Sequence, residues 1–362
     1  MARRGRTYRR KKGSGAAGAV FGLFLLALIV AVGAAWFVFL PAGPSSETFV
    51  EIAPGSSSTQ IGIELERAGI VRSRYAFDLV RIWKRGVLKA GEYRFDHPVP
   101  VTEVYGRIAR GDVFTLAVTV PEGATRFEIA ARLEQAGLVK REAFLAVTGN
   151  GAGGDTALIA DLDPQARSLE GYLFPDTYRF PRKASAGQIA GVMVRRFRTA
   201  AAGIGLMSAG AGSVGAGSAH DVHDVVTLAS LVERETAVNA ERPLVASVLS
   251  NRLAKKMPLM TDPAVIYGLQ VEGKWRGSIY QSDLTYDTPY NTYRHAGLPP
   301  GPIANAGLPS LKAAMQPAAT DYLYFVAAGA DPQGKSRFAT TLDEHNKNVA
   351  SYRLAVKQAG TH

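Results

Sequence analysis

The sequence of 362 residues contains no cysteine. Disulfide bonds, thiolate metal sites and a cysteine nucleophile are therefore excluded. No serine is followed three places later by lysine, and neither G-x-S-x-G nor H-E-x-x-H occurs, so these common hydrolase and acyl-transfer signatures are missing. His220 and His223 could bracket a metal ion, but no third ligand is near them in sequence, and such pairs more often lie at a solvated helix start. The sequence thus predicts no metal and no cofactor.

Charge is absent from Gly13 to Ser46, directly after the most basic stretch of the chain. Seven positive charges fall within the first twelve residues, so of the formal net charge of +11 only +4 belongs to the rest. The 25 almost wholly apolar residues 16–40, at about 1.5 Å each, are enough to cross a hydrocarbon core of about 30 Å. We predict a cytoplasmic basic tail at 1–15, a single-pass anchor at 16–40 and a stalk at 41–48, the remainder lying outside the membrane. The small remaining charge argues against nucleic-acid binding.

An internal repeat follows the anchor. Residues 49–80 read FVEIAPGSSSTQIGIELERAGIVRSRYAFDLV, and residues 117–147 read AVTVPEGATRFEIAARLEQAGLVKREAFLAV. A shift of 68 positions aligns Gly55 with Gly123, Leu65 with Leu133, and the Ala-Gly pairs that follow. Each copy is typical of a strand, a glycine turn, an amphipathic helix, a glycine stop and a second helix. From periodicity alone, two packing units are favoured over a glycan-binding module.

A second domain is predicted at residues 155–358, after a glycine-rich linker at 149–154. Within it, residues 199–219 are almost all Gly, Ala and Ser, which predicts a flexible insertion without chemistry. The predicted fold class is α+β. It comprises the N-terminal transmembrane helix, the strand–helix–helix repeat region at 49–148 and a mixed α+β domain.

The most informative segment is 221–236, DVHDVVTLASLVERET. Its apolar residues recur at the spacing of one helix face: Val225, Leu228, Ala229 and Val232. At about 100° per residue, Glu235 continues that face, about 20° from Leu228, while Glu233 lies at its edge. Burial without a charged partner raises a carboxyl pKa, and a helix C-terminus acts in the same direction. A glutamate tuned to about 6–7 can hold a proton at neutral pH and donate it in a reaction. Two alternatives stay open: Glu235 turns to solvent, or it pairs with Arg234 or Arg242.

Aromatic residues are concentrated after this helix. Six fall within 27 residues, at positions 267, 275, 280, 286, 290 and 293. Tyrosine and tryptophan rings have apolar faces with polar tips, which suits them to sugar rings, although about half of them are expected to be core residues.

The sequence resembles the endolytic murein transglycosylase family, the MltG/YceG-like proteins, over nearly all of the chain beyond the anchor. The resemblance is carried by motifs that occur in order: KAGEYRF (89–95), EGYLFPDTY (170–178), LASLVERETAV (228–238), TDPAVIYG (261–268), YNTY (290–293), GLPPGPIANAG (297–307), SLKAA (310–314), YLYFVA (322–327) and HNKNV (345–349). It implies a membrane-anchored enzyme that cleaves the β-1,4 bond between N-acetylmuramic acid and N-acetylglucosamine in nascent peptidoglycan strands. The product ends in a 1,6-anhydro ring, and the enzyme terminates strand elongation.

The resemblance also implies site residues and partners. The second Glu of V-E-x-E-T, Glu235, is the family's catalytic acid, which agrees with the helix-face argument. For substrate binding we expect Thr236, Asn291, Tyr293, Tyr267, Glu233 and Asp262. The repeat is LysM-like in this family, which strengthens the glycan-binding interpretation. The expected partners are peptidoglycan strands, penicillin-binding-protein synthases and, through residues 16–40, the lipid bilayer of the cell (inner) membrane, with the catalytic domain periplasmic or extracytoplasmic.

Two alternatives to this function remain. One is a non-enzymatic peptidoglycan-binding scaffold for synthases. The other is a glycoside hydrolase in which Glu235 works with a second carboxylate, Asp262 or Asp283, as ordinary glycosidases require.

Overall fold

The computed structural model describes residues 14–149, 154–208, 221–331 and 334–359. The contacts divide the chain into two units, the first ending at Thr115 and the second beginning at Leu116. The basic tail up to residue 13, His220, and residues 209–219 of the predicted insertion lie outside the described residues.

The first unit begins with a long apolar helix and continues as a small α+β fold. Its helices are α1 (Ser14–Phe39), α2 (Ser58–Arg67), α3 (Arg74–Lys84) and α4 (Val101–Arg110), and its strands are β1 (Thr48–Ile52) and β2 (Gly91–Phe95). The part of α1 from Gly18 to Phe39 is long and apolar enough to cross a membrane. The segment predicted as a stalk is held against the fold, because Ala42 forms a bridge with Val99 and Arg72 donates to the carbonyl of Pro41 at 3.0 Å.

The second unit is also mixed α and β. Its strands are β3 (Leu116–Thr119), β4 (Thr177–Phe180), β5 (Tyr324–Ala327) and β6 (Ser336–Ala339). Its helices are α5 (Arg126–Gln135), α6 (Arg141–Thr148), α7 (Ala186–Gly203), α8 (Val222–Glu235), α9 (Arg242–Ala254), α10 (Asp262–Val271), α11 (Gln281–Leu284), α12 (Leu308–Met315) and α13 (Leu342–Ala359). Because α7 extends to Gly203 with Ala200 and Ala201 buried, the first residues of the predicted insertion are helical.

The internal repeat is reproduced closely in backbone geometry, with one copy in each unit. Helices α2 and α5 begin and end at positions 68 residues apart, and both are capped by a box in which a hydroxyl and a side chain three residues later bond to each other's backbone N–H groups. The paired glycines Gly69 and Gly137, which follow these helices, both have a φ of 71°, a left-handed conformation that favours glycine.

The repeat extends to a partner strand in each copy, although the alignment of the two sequences does not include it. In the first unit β1 pairs with β2 in antiparallel register, Val50 opposite Tyr93, and in the second β3 pairs with β4, Val118 opposite Tyr178. Both partner strands end in Tyr-Arg-Phe. The equivalence is hidden in the sequence because the second copy carries a long segment between α6 and β4, whereas only six residues separate α3 from β2.

Helix α8 is the central helix of the second unit. Asp221 caps its N-terminus, and its residues from Val222 to Val232 are buried except for the exposed Asp224. It packs against α12 and α9. The predicted apolar stripe therefore lies within the core, and the helix holds its last residue, Glu235, where that core ends.

Candidate active site

Glu235 is the last residue of α8, and the helix ends because Thr236 adopts an extended conformation, with φ −144° and ψ 135°. The stripe formed by Leu228 and Val232 is buried, and Glu235 itself is only partly exposed. The alternative in which Glu235 pairs with an arginine is not realised. Arg234 donates to the carbonyl of Gly123, and Arg242 pairs with the neighbouring Glu233.

Glu235 faces an open cavity of about 420 Å³. Five stretches of the second unit contribute its walls: Glu235 of α8, Leu249 and Arg252 of α9, the segment 259–263, Tyr293, and Tyr324, Phe325, Leu342 and His345 near the C-terminus. Met260 has a φ of 54°, a strained conformation for a residue with a side chain. The cavity combines aromatic and aliphatic surface with a few charged groups, as carbohydrate-binding clefts require.

The pKa of the Glu235 carboxyl is raised to about 7. Burial is the largest cause, and the nearby negative charge of Asp262 adds to it, while the cations Arg252 and Arg234 act in the opposite direction. Across the described ranges of the chain, no protein group hydrogen-bonds to this carboxyl group. Glu235 therefore holds a proton near neutral pH and has both oxygens free for a ligand.

Asp262 and Tyr293 form a hydrogen-bonded pair in the same cavity. Asp262 is the first residue of α10, and the hydroxyl of Tyr293 donates to its Oδ1 at 2.6 Å. The pKa of Tyr293 is raised by burial and by this carboxylate, so its proton stays on the hydroxyl. Of the residues predicted for the site, Glu235, Asp262 and Tyr293 are the three that line this cavity.

Arg252, which the sequence analysis did not single out, is the fixed cation of the cavity. Its Nε donates to the carbonyl of Leu323 at 2.7 Å, and a guanidinium nitrogen donates to that of Leu259 at 3.0 Å. The guanidinium also lies 5.2 Å from the ring centre of Tyr324. Burial lowers the pKa of Arg252, while the negative charge that Glu235 can carry raises it. The positive charge of Arg252 can therefore offset the negative charge of a Glu235 carboxylate.

Tyr324 and His345 are two further cavity residues without a role in the sequence-based prediction. Their rings stack at 5.2 Å with an angle of 25° between them. Burial and the cation of Arg252 lower the pKa of His345, which keeps its imidazole neutral at neutral pH. Both residues lie in motifs that carry the family resemblance, YLYFVA and HNKNV, and that was the one signal in the sequence that could have found them.

The other predicted substrate-binding residues hold the walls together instead of lining the cavity. Glu233 pairs with Arg242 at 2.7 Å and accepts the N–H of Gly307 at 3.0 Å. Thr236 is buried, and its hydroxyl accepts the N–H of Val238. Asn291 is fully buried. It donates to two carbonyls of its own loop and accepts the N–H of Tyr293, which fixes that tyrosine.

Tyr267 lies at a second, smaller cavity of about 230 Å³ on α10. Its ring packs edge-on against Tyr290 at 5.0 Å. The fully buried Glu170 lies beside it, accepting the N–H of Arg126 and a side-chain N–H of Asn305. Tyr267 is therefore a core residue near a second buried glutamate, separate from the residues around Glu235.

His223 has a polar partner on the protein. Its Nδ1 lies 2.8 Å from Oδ2 of Asp163, which also accepts the hydroxyl of Tyr172 at 2.6 Å. Among the described residues, no group of three or more His, Asp or Glu side chains could hold a metal ion.

Comparisons with known proteins identify relatives of this chain. A model of the YceG-like family matches residues 50–351. A protein of Bacillus subtilis (strain 168) named endolytic murein transglycosylase is 33% identical over 320 residues, covering 84% of each chain. One of the same name from Streptococcus pneumoniae (strain ATCC BAA-255 / R6) is 30% identical over 342 residues, or 86% of this chain and 60% of that protein. The crystal structure of a yceG-like protein from Listeria monocytogenes, 32% identical, superposes with a TM-score of 0.53 over 84% of this chain and 99% of its own.

Proposed function

This chain belongs to the YceG-like family and is an endolytic murein transglycosylase, and we propose that Glu235 is the acid with which it cleaves the glycan. The observation that carries the proposal is a partly exposed carboxyl with a pKa of about 7 in an open cavity, to which none of the residues described forms a hydrogen bond. A carboxyl with these properties suits a group that must alternate between acid and base.

In the proposed reaction, the protonated Glu235 donates its proton to the glycosidic oxygen as the bond from that oxygen to the anomeric carbon breaks. The C6 hydroxyl of the same sugar attacks the anomeric carbon and closes the 1,6-anhydro ring. The Glu235 carboxylate then accepts the C6 proton, which restores the acid. One carboxyl suffices because the nucleophile is part of the substrate, and the attack is intramolecular, so much of the entropy cost of bringing the groups together is avoided.

Three neighbours support this role. Asp262 raises the pKa of Glu235 and is itself held by the hydroxyl of Tyr293. Arg252 lies where it can stabilise the carboxylate that forms after proton donation. We propose that Tyr293, Tyr324 and the aliphatic walls contact the sugar rings, while Asp262 binds sugar hydroxyls.

The test is digestion of purified sacculi by the full chain in detergent, comparing wild type with Glu235→Gln. We expect wild-type digests to contain products that end in an anhydro ring, and Glu235→Gln to release them at least about 100-fold more slowly. The matched control is Glu142→Gln, an exposed glutamate on α6, which should act like wild type. Release by Glu235→Gln at the wild-type rate would disprove the assignment.

Hydrolysis with two carboxylates is a second candidate, because Asp262 lies in the same cavity as Glu235. Asp283, the other carboxylate considered, does not line this cavity. It is bonded to Arg276 and to the backbone N–H of Tyr280. Mass spectrometry separates the two reactions, since hydrolysis adds one water to each product and anhydro-ring formation adds none. A scaffold without activity predicts no product from any variant.

We propose that α1 anchors the enzyme in the cell membrane, with the basic tail in the cytoplasm and both units outside. The basic residues before the span and the uncharged stretch after it support this orientation. Protease added to intact spheroplasts should then remove both units and leave the tail. We also propose that the enzyme ends strand elongation beside penicillin-binding-protein synthases and that the LysM-like repeat binds glycan.

A further inference from the structure

Helix α3 of the first unit has two apolar faces, and only one of them is used by the core. Ala76, Phe77 and Val80 are buried. Beside this buried face, four large side chains form a second stripe, about 100° wide, that is open to solvent, with exposed fractions of 64% for Tyr75, 52% for Leu79, 68% for Ile82 and 66% for Trp83. Val87, just beyond the helix, is 83% exposed. An apolar stripe of this kind on an exported domain indicates an interaction surface.

The second copy of the repeat shows that the repeat fold does not need this stripe. Aligning the buried Phe77 of α3 with the buried Phe144 of α6 places Tyr75 opposite Glu142 and Leu79 opposite Ala146. Ile82 and Trp83 fall opposite Gly149 and Asn150. The same helix in the other copy thus has a glutamate and an alanine at the first two positions, and it ends at Thr148, before the other two. The exposed stripe therefore points to a contact that the first copy makes and the second copy does not.

The stripe is continuous with the end of α1. A shallow apolar cavity of about 360 Å³ lies between the two helices and is lined by Ala34, Ala35, Val38, Phe39, Leu79, Val80 and Trp83. Arg72, just before α3, fixes this junction. Its guanidinium lies 4.7 Å from the ring centre of Trp36 and donates to the carbonyl of Pro41. Whatever surrounds the last turns of α1 therefore also meets α3.

The basic residues on and around α3 are suited to the headgroup layer of a lipid bilayer. From Arg72 to Arg85 the chain carries five basic residues and one acidic residue, Asp78. Tryptophan and tyrosine beside aliphatic residues, with lysine and arginine at the edge, are typical of helices that lie in the headgroup layer of a bilayer and attract anionic lipids. A soluble protein partner would not need the stripe to continue onto a membrane span.

We propose that the exposed stripe of α3 is a second membrane contact, lying in the outer headgroup layer of the bilayer that α1 crosses. This inference rests on the proposed anchoring by α1. Tyr75, Leu79, Ile82 and Trp83 enter the layer, while Arg81, Lys84 and Arg85 meet lipid phosphates. The first unit is then tied to the membrane at two points instead of moving freely at the end of the anchor.

The test uses the full chain carrying Trp36→Phe and Trp275→Phe, which leaves Trp83 as the only tryptophan. It is reconstituted into vesicles of phosphatidylglycerol and phosphatidylethanolamine, with iodide on both sides. We expect lipids brominated near the headgroup to quench Trp83 fluorescence by half or more and iodide to quench it weakly. Strong iodide quenching with no effect of brominated lipid would overturn the proposal. The proposal would also be overturned if Trp83 were protected from iodide only at a high protein-to-lipid ratio, because the stripe would then contact a second copy of the chain.

The repeat supplies the matched variants. In the same background, Tyr75→Glu with Leu79→Ala gives α3 the residues of α6, and we expect iodide quenching of Trp83 to rise about threefold. Leu354→Ser, at an exposed apolar position of α13, should leave it unchanged. Cleavage of sacculi in detergent should be the same for all variants, so loss of docking and loss of catalysis are distinguishable. If the chain does not sediment with vesicles, the anchor fails and the docking with it. Unchanged quenching in the double variant also contradicts the proposal.

Discussion

The second unit contains two glutamates whose pKa is raised to about 7, and they differ in their hydrogen bonds and in their access to a cavity. Glu170 is fully buried, and its oxygens accept the backbone N–H of Arg126 at 3.0 and 3.1 Å and a side-chain N–H of Asn305 at 2.7 Å. Glu235 ends a helix beside an open cavity and has no such donors among the residues described. Burial is the largest cause of the raised pKa at both residues.

A raised pKa therefore reports burial and does not by itself identify a catalyst. Glu170 uses its oxygens to join the start of α5 to Asn305, which in turn bonds to the backbone of Ala124 and Leu173. A carboxyl committed in this way cannot pass a proton to a substrate. Glu235 has the same readiness to hold a proton, with access to a ligand and a fixed cation, Arg252, beside it. We expect substitutions of Glu235 and Glu170 to have different effects on activity, on stability and on the pH dependence of each.

The largest expected difference is in activity. Glu235→Gln removes the transferable proton and should lower kcat on sacculi by about 10²–10⁴-fold. Glu170→Gln should keep kcat within about threefold of wild type, per folded molecule, because Glu170 does not line the cavity. The measurement is the rate of release of anhydro-ended products by mass spectrometry, with circular dichroism to count folded protein. Equal losses in both variants would remove the distinction on which the active-site assignment depends.

Stability should show the reverse order. Glu170→Ala leaves the N–H of Arg126 and the Asn305 amide without their acceptor and opens a cavity, so unfolding should become easier by about 2–4 kcal/mol. Glu235→Ala removes a side chain that already faces an open cavity and bonds to no donor, and should change stability by less than about 1 kcal/mol. Urea unfolding of the full chain in detergent at pH 4.5, where Glu235 is protonated in the folded protein, measures both. A larger loss for Glu235→Ala would mean that Glu235 holds the fold.

A smaller effect is the pH dependence of stability at Glu235. Its pKa is higher in the folded state, about 7, than the ordinary value of 4.5, so the folded protein binds more protons between these values and loses stability as pH rises through them. Glutamine does not titrate. Glu235→Gln should therefore unfold like wild type near pH 4.5 and be more stable by about 1–3 kcal/mol at pH 8. Parallel stability curves for the two proteins would contradict the raised pKa.

The sequence predicted Glu235 because that prediction needed only one helix. The stripe through Leu228 and Val232 gave the direction of the side chain, and burial gave the direction of the pKa shift. The neighbours could not be predicted in the same way. Asp262, Arg252, Tyr324 and His345 come from four other elements, and their meeting depends on how α9, α10, β5 and α13 pack. Helix phase also could not show that Glu233, two residues away, is engaged by Arg242 from the next helix.

In the fold, too, features formed by neighbouring residues were predictable, and those formed by distant segments were not. The strand, turn and two helices of each repeat copy lie close together in sequence, so spacing and glycine positions were enough to predict them. The partner strand was not recognised as part of the repeat because its distance from the first strand differs between copies. Val50 pairs with Tyr93, and Val118 pairs with Tyr178 across the long segment that contains Glu170. The inserted segment also gives the second copy the fully buried Glu170.

The smallest expected effect tests which glutamate controls the pH dependence of catalysis. If Glu235 is the acid, kcat should fall as pH rises through about 7. Asp262→Asn removes the negative charge that raises the pKa of Glu235 but keeps an oxygen that can accept the Tyr293 hydroxyl, so the midpoint should move down by about 0.5–1.5 pH units. Burial, the larger cause, remains, and the midpoint should stay above 4.5. Glu170→Gln is the control and should leave the midpoint in place. Asp262 lines the cavity that contains Glu235 and does not line the cavity beside Tyr267. A midpoint that moves in Glu170→Gln and stays in place in Asp262→Asn would therefore assign the titration to Glu170, which contradicts this mechanism.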